Sequence, residues 1–444
     1  MCGIGLWTYT GFSLMTRAAK PLYSYNNIQR SAALLKLGNK VVCMKNMNKF
    51  LSLLLLCTFT SGAFALDLNK PLPNWIDHSR EKADGRAPIM APTMRGVTPS
   101  DFRMPAEYEP VGAVAIGWAA YTPMLTSIAK AVTGAANAQL WAVGGPSSIA
   151  GVPAAKYTKI PAPLDTVWMR DYGPFGVSGG KPGIVDSIYR HYQYRRNDDA
   201  VPNVLGKAKG IGVYGMPIIM DGGNLMVDSQ GTLFHTNRTY LWNSSMSREQ
   251  VDTHLKNYLK VKKIVTFDYA GYPGEPADGT GHIDMYVKLL NDNTVLLAVT
   301  ADEPFKTACD KAMSWFKANK APNGQPYKIL TVKAWATDAW YTYTNSLVVN
   351  NVAIIPSYSV STEEGNAKAA YESAGYTVVP VPSDDSIVAG GSIHCVTQTI
   401  PGAPGKAVDL TDIPVFQEVT TTPVLLPLTD SGSSTAVDQL INSK

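Results

Sequence analysis

The sequence predicts an α/β fold built radially from five repeated units, and three observations carry that expectation. A hairpin, a helix and one further strand recur along residues 111–381 at roughly 45–60 residues per copy, a spacing that suits a repeat architecture. A polar cluster opens four of the five hairpins, at Arg170-Asp171, Asp221-Gly222-Gly223, His282-Ile283-Asp284 and Tyr343-Thr344-Asn345. The composition, 45% hydrophobic and 17% charged over 444 residues, is that of a globular chain with one large domain or two smaller ones. Helices on one side of such units and hairpins on the other bury a shared centre. The same edge of every unit meets there, so groups distant in sequence can converge.

The first copy shows a single strand over residues 111–118, a helix over 124–136 and a strand over 140–143. The second pairs residues 173–177 with 183–189 across Ser178-Gly179-Gly180, then continues with a short helix near 204–209 and a strand over 213–220. In the third, residues 224–227 and 232–236 form the hairpin, 247–260 the helix and 263–267 the strand. The fourth runs 284–290, a turn at Asn291-Asp292-Asn293, 295–299, a helix over 305–321 and a strand over 328–333. The fifth turns at Asn350-Asn351 between 346–349 and 352–356, followed by a helix over 363–375 and a strand over 377–381. These copies define a catalytic domain over 106–401. Residues 66–105 read as a Pro-rich arm, and 402–444 as a closing segment and tail, too short for an added sandwich domain.

The first 65 residues are a different kind of sequence. Residues 1–46 lack periodicity and precede an ordinary start at Met44 or Met47, as expected of an extension or a mis-called start. Residues 47–65 read as a signal peptide. Lys45 and Lys49 precede the apolar run 50–59, and Ala63-Phe64-Ala65 supplies small residues for cleavage. That run is about half a membrane-spanning helix. Export to the periplasm or the medium is expected, with no membrane attachment after cleavage.

Cleavage also changes the charge. It removes seven of 39 basic and none of 35 acidic residues, so the formal +4 becomes −3 and nothing points to nucleic acid. Of five cysteines, only Cys309 and Cys395 survive, which excludes a disulfide framework. Cys309 falls on a helical pattern with Ala308, Ala312 and Trp315, where a small buried thiol is ordinary.

Cys395 stands in Gly390-Gly391-Ser392-Ile393-His394-Cys395, where the glycines permit close approach of a ligand to a presented thiol. Alternation with Ile393 and Thr397 places it on or just before a strand and puts His394 on the opposite face, so His394 is not its base. His282 and Asp284, at i and i+2, leave one face of a strand together. An imidazole beside a carboxylate can bind a cation and shuttle a proton. Asp171 follows Arg170 in a turn, and Trp168 offers a π face to a flat cation. Asp221 belongs to a tight turn that reads equally as a structural carboxylate held by backbone amides. Arg195-Arg196 suit a substrate carboxylate, or a solvated cluster balanced by Asp198 and Asp199. One thiol, one imidazole and two or three carboxylates suit nucleophilic attack on a cationic carbon.

Four motifs in order, Trp168-Met169-Arg170-Asp171-Tyr172-Gly173-Pro174, Asp221-Gly222-Gly223-Asn224, Gly281-His282-Ile283-Asp284 and Gly390 through Gln398, resemble the bacterial-type peptidylarginine deiminase and agmatine deiminase family of guanidino-group hydrolases. The resemblance covers about residues 105–401. It implies a five-bladed, pseudo-symmetric, pentein-like α/β propeller. It also implies Cys395 as nucleophile on the guanidinium carbon, His282 as acid and base, Asp171 and Asp284 on the guanidinium nitrogens, and Asn345 lining the site. A covalent thiouronium intermediate follows, with no metal or organic cofactor. Export and Arg195-Arg196 favour peptidyl-arginine, converted to peptidyl-citrulline and ammonia. The alternative is agmatine, converted to N-carbamoylputrescine on the way to putrescine. A reading of a different class is an exported, non-catalytic binder of arginine-like cations, and a cysteine amidase would use the same thiol and imidazole.

Overall fold

The computed structural model describes residues 70–90, 102–179, 182–272, 274–359 and 362–406. The expected leader, residues 91–101 of the arm and the tail beyond 406 lie outside the described residues. Among the described residues, five sheets of three or four strands and two two-stranded ribbons make up a mixed α/β fold, and each of the last four of the larger sheets repeats one connection: an antiparallel hairpin, a crossover helix, then a strand parallel to the hairpin's second strand. A parallel neighbour cannot be reached by a tight turn, so a helix must intervene.

The second sheet joins Phe175–Ser178, Pro182–Ile188 and Val213–Ile219. Met226–Val227, Thr232–Thr236 and Lys263–Phe267 form the third. The fourth holds Val287–Asn291, Thr294–Val299 and Lys328–Lys333, and the fifth Leu347–Val349, Val352–Ser357 and Thr377–Pro382.

The first sheet completes the pattern with strands from both ends of the repeat region. Val111–Gly117 pairs in parallel with Gln139–Val143 and antiparallel with Thr397–Pro401, so the strand missing from the first copy is supplied near the end of the described chain. Ala113, Val114, Ala115 and Ile116 are fully buried in succession, which is why this central strand reads as a continuous apolar run rather than an alternation. A fourth strand, Tyr157–Ile160, extends the sheet and escapes sequence reading because only Ile160 is buried.

The crossover helices bury one stripe each. Arg248–Leu259 starts on a capping box between Ser247 and Gln250 and buries Val251, Leu255, Tyr258 and Leu259, spaced i, i+4, i+7, i+8. Phe305–Ala318 buries Phe305, Ala308, Cys309, Ala312 and Phe316. Cys309 is a free thiol there, and burial pushes it up to about 12, as fits an inert packing residue.

One local expectation needs correction, and it sits at the functional centre. His282 and Asp284 are not on a strand: His282 precedes a short 3₁₀ turn, Ile283–Met285, and the strand begins only at Val287. Cys395 lies in a turn just before a strand, which starts at Thr397.

Candidate active site

The hairpin openings of several sheets meet at one place. Met169–Tyr172, a single helical turn, delivers Asp171. The turn Gly222–Asn224 follows Asp221, Ile283–Met285 carries Asp284, and the segment before Leu347–Val349 brings Asn345. Asp171, Asp221, Asp284, Asn345 and Cys395 are fully buried, and His282 is 1% exposed.

The sulfur is fixed by Asn345. Its Nδ2 lies 3.2 Å from Cys395 Sγ and donates to Asp284 Oδ2 at 3.0 Å, while its Oδ1 accepts from the Ser392 and Cys395 amides at 2.9 and 3.4 Å. Asp284 Oδ2 is 4.0 Å from Sγ. Asp284 Oδ1 is buried without a hydrogen-bond partner, an acceptor beside the sulfur with room in its valence for a cationic N–H. Burial, reinforced by the carboxylates of Asp284 and Asp171, holds the thiol well above its ordinary range. The resting sulfur is therefore protonated.

His282 bridges two carboxylates. Its Nδ1 is 3.5 Å from Asp171 Oδ1 and its Nε2 is 3.3 Å from Asp221 Oδ2. Burial alone depresses an imidazole, but Asp171 and Asp221 outweigh it and hold His282 above its ordinary value. For Asp171 burial wins instead, raising the carboxyl despite the neighbouring imidazole. Burial likewise works against charge on Asp221, but Arg190 with His282 overcomes it and holds this carboxyl low, with Arg190 Nε at 3.1 Å. Asp171, Asp221 and His282 also present ligand atoms within 4.8 Å of one another, close enough for a metal ion. The Arg190 guanidinium, 3.1 Å from Asp221, already places a positive charge at that position, which works against a metal ion there.

Behind these groups, side chains to which the sequence analysis gave no role at the site hold it in register. Arg170 clasps the cysteine turn, its amide donating to Cys395 O at 3.0 Å, Nε to His394 O at 3.2 Å and Nη1 to Gln398 Oε1 at 2.9 Å. His394 does not reach the thiol as a base. It lies between Asp284 Oδ2 and Glu107 Oε2, each at 2.6 Å. Burial alone raises Glu107, but His394, Lys288 and Arg170 surround it and keep it well below the usual carboxylate range. Glu107, with Arg170 and Lys288 on it, thus backs Asp284 through His394. Glu107 and His394 are 287 residues apart, and no local pattern reveals such a pair.

Two glycines allow this crowding. A Cβ on Gly391 would stand 2.7 Å from Cys395 Sγ and 2.8 Å from Trp168 Cζ3, and one on Gly223 would stand 2.5 Å from His282 Nδ1. Gly391→Ala, by displacing the sulfur, is expected to lower kcat/KM on the order of 100-fold in steady-state assays. Trp168 is buried with its ring edge at Gly391, beside the sulfur.

Arg195 and Arg196 do not join the centre, which corrects their assignment to a substrate carboxylate. Arg195 is fully buried and bonds Glu81 through Nε at 2.7 Å and the Pro73 and Trp75 carbonyls at 2.9 and 2.7 Å. Arg196 bonds the carbonyls of Arg86 and Ala87 and lies 3.8 Å from Asp84. The pairs are invisible in sequence because their partners lie more than a hundred residues away on the arm. Arg195→Ala leaves a buried Glu81 uncompensated, and chemical denaturation is expected to register a loss of about 3–5 kcal/mol.

The sequence model of the Porphyromonas-type peptidyl-arginine deiminase family matches residues 103–401. The agmatine deiminase of Pseudomonas aeruginosa (strain LESB58) is 25% identical over 367 residues, covering 69% of this chain and 97% of that protein. The solved agmatine deiminase of Enterococcus faecalis superposes with a TM-score of 0.61 at 21% identity, covering 69% of this chain and 99% of that one. A C. jejuni agmatine deiminase variant solved with substrate bound gives 0.58 at 18%, covering 68% and 97%. With the matched family region spanning all four polar motifs, the chain belongs to the Porphyromonas-type peptidyl-arginine deiminase family, hydrolases of the carbon–nitrogen bonds of amidines.

Proposed function

We propose that the protein hydrolyses agmatine to N-carbamoylputrescine and ammonia, with Cys395 as nucleophile. The observation that carries a guanidino chemistry is the convergence of Sγ, an unpartnered Asp284 oxygen and the His282 imidazole between two carboxylates. A guanidinium is delocalised and a poor electrophile, so carboxylates must localise its charge while a thiolate is held in attack position. Its cation on Asp284 and Asp171 cancels the two charges that help hold the thiol protonated, and the thiol proton leaves to solvent. The thiolate then bonds the guanidinium carbon, and His282 protonates the departing ammonia. The same imidazole, now neutral, takes a proton from water as the oxygen attacks the thiouronium carbon, and collapse restores the sulfur.

Agmatine is favoured over peptidyl-arginine on two grounds. The two arginines that suggested recognition of a substrate carboxylate are committed to the arm, and relatives matched over nearly their whole length are agmatine deiminases. The test measures ammonia and ureido product from agmatine, free arginine and peptides ending in arginine. A kcat/KM at least tenfold higher for agmatine is expected. A preference for the peptides restores the peptidyl reading, peptide-bond cleavage without ureido formation selects an amidase, and tight binding without turnover selects a cation binder.

The meeting of several hairpin openings at one centre also favours a radial, five-bladed arrangement of the sheets about it. Residues 47–65 are proposed to direct export. Amino-terminal sequencing of protein recovered outside the cytoplasm is expected to begin at Leu66.

A further inference from the structure

The catalytic centre is closed by a stretch of the arm that precedes the family region. Residues 72–81 cross directly over it. The Asn74 amide donates to Ala389 O at 2.7 Å, its carbonyl accepts from Arg190 Nη2 at 3.0 Å, and Trp168 Nε1 donates to Leu72 O at 3.1 Å. The buried Asn74 side chain enters the site, Nδ2 donating to Asp171 Oδ2 at 2.8 Å, with its own Oδ1 unpartnered. Trp75, 39% exposed, seals the outside: Cβ atoms on Gly279 and Gly390 would stand 2.6 and 2.9 Å from its ring. Those two glycines, at φ +79° and +96°, precede His282 and Cys395.

We propose that this segment is a displaceable cover that selects substrate: Asn74 holds on Asp171 the place of a substrate N–H, and Trp75 shuts the entry. Three features carry it. The Asn74 amide presents to Asp171 the same N–H donor that a guanidinium presents. The carboxamide gains little beyond that bond, since its oxygen is left unpaired in a buried site, which makes it a weaker occupant than a cation with several donors. Every reacting group is 1% exposed or less, so no substrate reaches the sulfur while the cover is down. The buried Arg195 bond to Glu81 keeps the arm attached while residues 72–75 lift, a movement that gives up the bonds of the same guanidinium to the Pro73 and Trp75 carbonyls. Entry beneath a single lifted segment fits a small free guanidino compound, so the inference deepens the agmatine reading and rests on it for the substrate.

The test uses the whole chain with Trp75→Ala and Asn74→Ala, alkylating with iodoacetamide and reading Cys395 by peptide mass, with buried Cys309 as internal control. Trp75→Ala is expected to speed labelling of Cys395 at least tenfold, with Cys309 unchanged, and to raise turnover of arginine peptides relative to agmatine. Asn74→Ala is expected to lower the KM for agmatine severalfold. Labelling within twofold of the parent in both variants overturns the cover, and a raised KM with Asn74→Ala overturns its place-holding role in favour of positioning Asp171. Faster labelling with no ureido product from any substrate leaves the cover standing and removes the deiminase reading instead.

Discussion

Cys395→Ala produces no detectable ureido product from agmatine, a loss of at least about 10⁴-fold, while the protein stays folded. The separation follows from where the sulfur sits. Asn345 Nδ2 stands 3.2 Å from it and Asp284 Oδ2 4.0 Å, and the loops that carry it are held by Arg170 and by the Asn345 bonds to the Ser392 and Cys395 amides, none of which uses the thiol. Removing one buried atom should cost about 1 kcal/mol in denaturation. Retention of full activity would refute the assignment. Loss of folding together with activity would instead show that the sulfur is a packing atom, as Cys309 is.

Replacing His282 by Gln removes the imidazole that lies between Asp171 and Asp221, and kcat should fall on the order of 10³-fold, within the range for loss of a general acid. The pH profile gives the sharper reading. His282 is raised above its ordinary 6.5, so the protonated form that serves the departing ammonia is present below the folded value and is lost as pH rises through it. The parent enzyme should therefore show a falling alkaline limb displaced above pH 6.5. Asp221→Asn takes away one of the charges that raises the imidazole, and the limb should move to lower pH. A limb that stays in place would assign the titration to another group. The same sign governs stability: the favourable pairing of His282 with Asp171 and Asp221 is fully present below its unfolded value and disappears as pH climbs through the raised one.

The hairpin, helix and strand rhythm was legible because its signals are local: turn residues between apolar runs, and helices with a stripe such as Val251, Leu255, Tyr258 and Leu259. The boundaries of the third copy fall within two residues of the expected ones. The motif residues were legible too, since glycines beside a Cys, a His and an Asp announce crowding. Their local conformation was not. The i, i+2 spacing suggested a strand at His282, whereas it precedes a 3₁₀ turn and is held by a partner outside its own sheet, Asp221; the turn that carries Cys395 just before its strand is shaped by Asn345. Arg195-Arg196 misled for the same reason. A pair of exposed-looking cations carries no mark of Glu81, Asp84 or the arm carbonyls that claim them. Glu107, His394 and Asn74 act through partners far along the chain, among them the pairs Glu107 with His394 and Asn74 with Asp171, where periodicity is silent.

The pairing of Val111–Gly117 with Thr397–Pro401 has a consequence for biosynthesis. Cys395, the proposed nucleophile, stands two residues before a strand whose partner was made nearly three hundred residues earlier, so a nascent chain carries its acids and imidazole long before it can seat a sulfur among them. Chemistry begins only when the last segment of the domain leaves the ribosome and zips onto the first. A chain that stops before residue 395 lacks both the sulfur and the strand that completes the first sheet.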